Sequence, residues 1–333
     1  MSEATTPAVP LSTIASTAGV SIPTVSKVLN ARPGVAEQTR LRVLAALDTH
    51  GMPMRPLRPR SAGVIDLRVE NLLGAWSEEV VRGVVASARE DGLDVVLSVG
   101  SAQDRSRAWI TRALRRGTEG FISVVASPSA QECEIASGLP IVVVDPWTTT
   151  PPLAMTVKST NWRGAMDATT HLIELGHTSI ATITGDTALD NALARLAGYR
   201  SAMERAGLRI DPDLIRHGDY TARAGYRAAQ YLLGLPDRPT AIFAASDDMA
   251  IGAIRALHEA GLRIPHDVSV VGFDDLPSAQ WMEPGLTTVR QPLELMGVTA
   301  VRMLRGIHTG DAVRRVELET ELVVRGTTRP PTP

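Results

Sequence analysis

From residue 61 onward, short apolar runs alternate with longer amphipathic stretches, and this alternation restricts the fold more than any other feature of the chain. Residues 64–69 read as a strand and 78–91 as a helix with Val81, Val84, Val85 and Ala88 on one face. A strand at 95–99, a helix near 104–116, and strands at 120–125 and 141–145 follow. Further strands are expected at 180–184, 241–245 and 268–273, with helices centred on 165–175, 192–206, 222–233 and 250–260. The punctuation recurs: Gly92-Leu93, Gly207-Leu208 and Gly261-Leu262 each follow a helix and lead into a strand. Glycine there tolerates the left-handed backbone that ends a helix. Alternating strands and helices form parallel sheets covered on both faces. About 270 residues exceeds what one such sheet needs, so two α/β lobes are expected.

The head is different. Leu11, Ile14, Ala15 and Ala18 fall at i, i+3, i+4 and i+7, one face of a helix. Gly19 predicts its end, Ser21 an N-cap for a second helix, and Pro23 a place in that helix's first turn. Val25, Val28 and Leu29 then face inward, with Ile22, Pro23, Thr24, Ser26, Lys27 and Asn30 outside. Residues 32–34 read as a turn, and a third helix over 37–50 turns Val43, Leu44 and Leu47 inward. Five Trp, four Tyr and three Phe are the only aromatic residues, and the first is Trp76. The head must therefore pack on Leu, Val, Ile and Ala, which suits short helices. Two short helices joined by a tight Ala-Gly-Val turn read as a helix-turn-helix, whose second helix enters the major groove.

Charge agrees with that division. Residues 1–60 hold seven basic and three acidic residues, a net +4, while the remainder is −6. A basic head on an acidic body points to nucleic acid at the head. Cys133 is the only cysteine, which excludes an intrachain disulfide and a multi-cysteine metal site. No apolar stretch approaches the ~20 residues of a membrane span. Residues 1–10 lack the basic and apolar segments of a secretion signal, so a cytoplasmic protein is expected. No Gly-x-Ser-x-Gly elbow, Walker A loop or His-Glu-x-x-His pair occurs, and no catalytic residue, cofactor or metal ion is expected.

Residues 18–30, AGVSIPTVSKVLN, followed by VAEQTR at 35–40 and Val43, closely resemble the DNA-binding head of the LacI/GalR family of transcriptional regulators. The segments 171–177 (HLIELGH), 194–199 (ARLAGY), 245–252 (ASDDMAIG), 269–275 (SVVGFDD) and 286–292 (LTTVRQP) resemble the two-lobed, periplasmic-binding-protein-like body of the same family. The resemblance implies a helix-turn-helix at 10–51, a hinge arm at 52–61 and an effector-binding, dimerising body at 62–325. Lobe one is about 62–159 plus 292–320; lobe two is about 160–290 plus the last strand. It implies that Ile22 and Pro23 choose the operator sequence and that Lys27 approaches bases. Ser21 begins the recognition helix, and Thr24, Ser26, Asn30 and Thr39 sit where phosphates are bound. The protein is expected to repress transcription as a homodimer on a pseudo-palindromic operator, since one head reads one half-site. No tetramerising C-terminal helix is read; residues 316–324 look like a strand, and the helix at 78–91 is a candidate for the dimer interface.

Two departures stand out. The family's helix-capping Ser before the third helix is Ala36 here, a loss of about 1 kcal/mol that Glu37 partly offsets. Where the family has a hinge helix, this chain reads MPMRPLRPR at 52–60, and proline at 53, 56 and 59 favours an extended arm. In one reading Arg55, Arg58 and Arg60 follow phosphates or a narrow minor groove and Leu57 wedges between bases. In the other, the arm is a linker.

Ligands of open parallel sheets bind beyond the C-terminal strand ends. That rule collects Asn71, Leu72, Leu73, Trp76, Ser98, Asp145, Pro146, Trp147, Asn161, Trp162, Arg195, Tyr220, Ser246, Asp247, Asp274, Asp275 and Trp281. Carboxylates, amides and arginine bind sugar hydroxyls, while aromatic faces cover C–H patches. Four Trp at one rim therefore point to a mono- or oligosaccharide, and the resemblance implies effector contacts for Arg195, Ser246, Asp274 and Asp145. The alternatives are a purine or other metabolite, as in some family members, and a sugar-processing enzyme on the same fold. Asp275 is read as structural, and Trp109 as core or interface.

Overall fold

Gly19 stops the first helix of the N-terminal unit. At φ 62° it ends α1 (Leu11–Ala18): its N–H donates to the Ser16 carbonyl at 3.3 Å and the Val20 N–H to the Ala15 carbonyl at 3.0 Å. These bonds satisfy carbonyls that the helix end would leave open. The Ser21 hydroxyl accepts from the Thr24 N–H at 3.3 Å and opens α2 (Ile22–Leu29); α3 (Glu37–Thr49) follows. Ile14, Val25, Val28, Val43 and Leu47 are fully buried among these helices, each worth ~1.5–3 kcal/mol. No aromatic ring is needed.

The structure is a computed structural model that describes residues 11–29, 35–50, 63–70, 74–100, 108–136, 138–309 and 313–332. The chain divides into Met1–Ser61 and Ala62–Pro333. The turn at 32–34, Asn30, the arm with Arg55, Leu57, Arg58 and Arg60, and residues 71–73 lie outside the described residues, as do the side chains of Leu29 and Leu44.

In the larger unit, lobe one opens with β1 (Gly63–Val69), α4 (Ala75–Glu90), β2 (Leu93–Val99), α5 (Ala108–Arg116), β3 (Thr118–Val124), α6 (Ala130–Ile135), β4 (Ile141–Val144) and β5 (Met155–Ser159). Lobe two follows with α7 (Asn161–Glu174), β6 (Ile180–Thr184), α8 (Asp190–Arg205), β7 (Ile215–His217), α9 (Ala222–Leu233), β8 (Ala241–Ala244), α10 (Asp247–Glu259), β9 (Ser269–Asp274), α11 (Pro277–Trp281) and β10 (Thr287–Arg290). The chain then returns to lobe one as α12 (Leu293–Thr309) and β11 (Arg315–Leu318), and ends in lobe two as β12 (Glu321–Val323). The sheets run β11-β5-β4-β3-β1-β2, all parallel, and β12-β10-β9-β8-β6-β7, parallel except for β12.

The segment read as one strand at 316–324 is two strands, one in each sheet, because Glu319-Thr320 crosses between lobes. Three crossings lie side by side and are tied together. Thr320 N–H donates to Thr160 Oγ1 at 2.9 Å, and Ser159 Oγ donates to Gln291 Oε1 at 2.6 Å. β5, β7 and β10 escaped the sequence reading because they are short and partly polar, and carry no long apolar run.

Glycines let the paired helices touch backbone to backbone. A Cβ on Gly83 of α4 would stand 2.0 Å from the Glu294 carbonyl of α12, and one on Gly252 of α10 1.8 Å from the Ala222 carbonyl of α9. Trp109 is core, edge-on to Phe121 with centroids 5.2 Å apart.

Candidate functional site

The C-terminal strand ends of the two sheets face each other across a cavity of about 480 Å³. Lobe one supplies Trp76, Val125, Asp145 and Trp147; lobe two supplies Asn191, Arg195, Tyr220, Ser246 and Asp274. Val125, Asp145, Tyr220 and Asp274 all have positive φ (62°, 46°, 67° and 120°), and Asp275 is the fifth such non-glycine residue among those described. Backbone held in these regions costs about 1–3 kcal/mol per residue and concentrates at functional sites. Here it aims side chains off the strand ends into the cleft.

Arg195, on α8, is the centre of the polar belt. Its Nε donates to Asn161 Oδ1 at 2.7 Å, and its Nη1 donates to the Ala245 carbonyl at 2.6 Å and faces Asp274 Oδ1 at 3.5 Å. The guanidinium lies 3.8 Å above the Phe273 ring, and Tyr220 lies beyond at 5.7 Å. Gln291 Nε2 donates to Asp274 Oδ1 at 2.6 Å, so the second lobe crossing is bonded to the belt. Burial raises the Asp274 carboxyl above its ordinary range, opposed by the Arg195 charge and the Gln291 bond. Asp145 is also raised by burial, with Arg195 and the Asn191 amide pulling it back. Burial raises the Tyr220 phenol as well.

Several residues grouped by the strand-end rule stand elsewhere. Ser98 lies on β2, the outer edge of its sheet, and does not line the cavity. Trp162 is 42% exposed on the outer face of α7, whose Asn161 and Ala165 turn inward. Trp281 is 87% exposed: α11 carries it away from β9 to a surface groove beside Leu295 and Arg302. The cleft therefore holds two tryptophans, Trp76 and Trp147, both half-buried, instead of four. Asn161 is a support: it holds Arg195 without lining the cavity. Ser246 does line it, while its hydroxyl caps α10 by accepting from Met249 N–H at 3.2 Å.

Asp247 and Asp275 are structural anchors. Asp247 accepts from the Leu276 N–H at 2.7 Å and from Thr288; Asp275 pairs with Arg290 at 2.8 Å and Arg325 at 2.6 Å. Sequence reasoning missed Glu70, Asn191 and Asp219, all of which line the cleft together with Asp248. Asn191 was findable: it sits four residues before Arg195, on the same face of α8.

In the N-terminal unit, Ser21, Ile22, Pro23 and Lys27 are exposed along α2, Ile22 at 48%. Thr24 and Ser26 are half-buried beside them, as is Thr39 on α3, while Val25 and Val28 fill the core. This is an outward-facing second helix with its N-terminus open.

Comparison with known proteins follows the same division. Residues 11–52 match the profile described as bacterial regulatory proteins, lacI family, and residues 169–328 match a periplasmic binding protein-like domain. The HTH-type transcriptional repressor PurR of Escherichia coli is 32% identical over 322 residues, covering 94% of each chain. The chain belongs to the lacI family. It is a DNA-binding transcriptional regulator with an effector-binding body. Among solved structures, a complex of the transcriptional regulator CelR with cellobiose is similar at a TM-score of 0.72 and 32% identity, covering 96% of this chain and 100% of that one. The Lac repressor dimer bound to operator and the anti-inducer ONPF is similar at a TM-score of 0.74 and 29% identity, covering 96% and 99%. No helix among the described residues of this lacI-family regulator is long and apolar enough to cross a membrane. No group of His, Cys, Asp and Glu among them has the arrangement of a metal site.

Proposed function

We propose that this regulator is a homodimeric repressor whose operator affinity is set by a mono- or oligosaccharide held between the lobes. The observation that carries the reading is the cleft itself: the Arg195–Asp274–Asp145 belt lies among Trp76, Trp147 and Tyr220. Hydroxyls are served by the belt and C–H faces by the rings. Arg195 arrives already oriented by Asn161 and the Ala245 carbonyl, so little order is lost on binding. The similarity to a regulator solved with cellobiose supports the same ligand class.

At the other end, Ile22 and Pro23 read base edges, Lys27 approaches them, and Ser21, Thr24, Ser26 and Thr39 meet the backbone, as the exposed face of α2 allows. The proposed DNA contacts also include Asn30, Arg55, Leu57 and Arg58. Dimerisation places two heads on two half-sites. A ligand that prefers one lobe arrangement shifts the population of that arrangement and, with it, the spacing of the heads.

A thermal-shift panel of mono- and disaccharides against nucleobases tests the ligand class. Stabilisation by a saccharide, with no turnover of it, is expected. Stabilisation by a nucleobase alone moves the regulator to the purine reading, and turnover of the ligand revives the enzyme reading.

A further inference from the structure

Glu70 has no task in the reading above. It follows β1 in the cleft wall, with its side chain 7% exposed. Its Oε1 stands 3.7 Å from Arg68 Nη2, beyond hydrogen-bond length, and its Oε2 is sealed from solvent with no hydrogen-bond partner among the described residues. Arg68 is shared with Glu132 at 3.9 Å and with the Trp109 ring at 5.6 Å. A carboxylate oxygen in this position has lost its hydration without replacement. The terminal torsion of a glutamate is soft, so a small rotation presents either oxygen to the cleft.

The charge inventory of the cavity points the same way. Among the described residues, Glu70, Asp145, Asp219, Asp248 and Asp274 line it, against Arg195 as its one basic residue. The Arg195 charge already faces the Asp274 carboxyl, with Nη1 3.5 Å from Oδ1. No second cation among the described residues lines the cavity to receive an anionic ligand.

We infer that Glu70 accepts a hydrogen bond from the effector and makes the cleft select uncharged, polyhydroxylated ligands over their phosphorylated counterparts. The inference rests on the saccharide reading of the cleft and names the subset of saccharides it takes. A hydroxyl supplies the donor that Glu70 lacks; a phosphate brings only acceptors and negative charge into a wall of carboxyls.

Calorimetric titration of the full-length protein with glucose, ribose and cellobiose, each beside its phosphate ester, is the test. The best neutral sugar binds at least ~100-fold more tightly than its phosphate. Glu70→Ala weakens that sugar ~10-fold, and Glu70→Gln narrows the neutral-to-phosphate ratio. Circular dichroism and thermal melting of both variants show that they fold. A phosphate ester that binds as tightly as its parent, or a Glu70→Ala variant with unchanged sugar affinity, overturns the inference while leaving the saccharide reading intact. Failure of every sugar, with binding of a nucleobase, overturns both.

Discussion

Asn191 donates from Nδ2 to Asp145 Oδ2 at 3.1 Å, and this bond joins the two lobes. Asp145 follows β4 in lobe one; Asn191 lies in the first turn of α8 in lobe two. Beside it the Asp190 N–H donates to the Trp147 carbonyl at 2.8 Å, and the Tyr220 hydroxyl donates to Asn191 Oδ1 at 3.0 Å. Asp145, Trp147, Asn191 and Tyr220 all line the cleft as well. In the proposed function, a ligand that displaces these bonds supplies the differential interaction that allosteric coupling requires.

Asn191→Ala removes the tie without touching Arg195. It should weaken effector binding ~10-fold and shrink the change in operator affinity that the effector produces. Titrations of operator DNA with and without effector read both effects; an unchanged effector response would show that the bond plays no part in coupling.

Asp145 gives a pH signature. Burial raises its folded-state pKa above the unfolded value. Its contribution to stability is therefore complete below about pH 4, the unfolded-state range, and is lost as pH rises through the folded value. Asp145→Asn should then raise Tm at pH 7.5, with the gain vanishing near pH 4, and should weaken effector binding. The same gain at both pH values would contradict a charge-burial origin.

The two tryptophan environments separate by mutation. Trp147→Ala should reduce effector affinity at least ~10-fold, whereas Trp281→Ala, outside the cleft, should leave it unchanged. Ligand titration of both variants checks this, and an equal loss in the two would place Trp281 back at the site.

The contrast shows what the sequence carries. Alternating strands and helices, glycine stops and the Ser21 cap are local signals, and the lobes and head follow from them. Arg195, Asp145 and Asp274 were legible because strand ends converge on the cleft. Ser98, Trp162 and Trp281 were grouped with them by the same rule, but strand order and helix facing are tertiary facts. β2 is an edge, Trp162 faces outward on α7, and α11 turns Trp281 away. Glu70 was missed for the converse reason: only the folded cleft shows a carboxylate oxygen without a donor among the described residues.

In the head, Ser21→Ala should cost about 1 kcal/mol of stability by removing the α2 cap. Ile22→Ala should lower affinity for the preferred operator while leaving non-specific DNA binding unchanged. Replacing Arg55, Arg58 and Arg60 with Ala should flatten the salt dependence of DNA binding, by ~0.9 in log–log slope for each phosphate that is no longer neutralised. An unchanged slope leaves the linker reading of the arm.

The most direct test joins the two ends of the molecule. A pseudo-palindromic duplex is selected from random sequence by the full-length protein, and its affinity is measured by fluorescence anisotropy at moderate salt, with and without the stabilising saccharide. The account predicts that the selected duplex is preferred over a scrambled one by at least ~10³-fold. It also predicts that the saccharide shifts that affinity at least ~10-fold, and that Trp147→Ala abolishes the shift. Sequence-blind binding, or a preference that no ligand of the cleft alters, would contradict it.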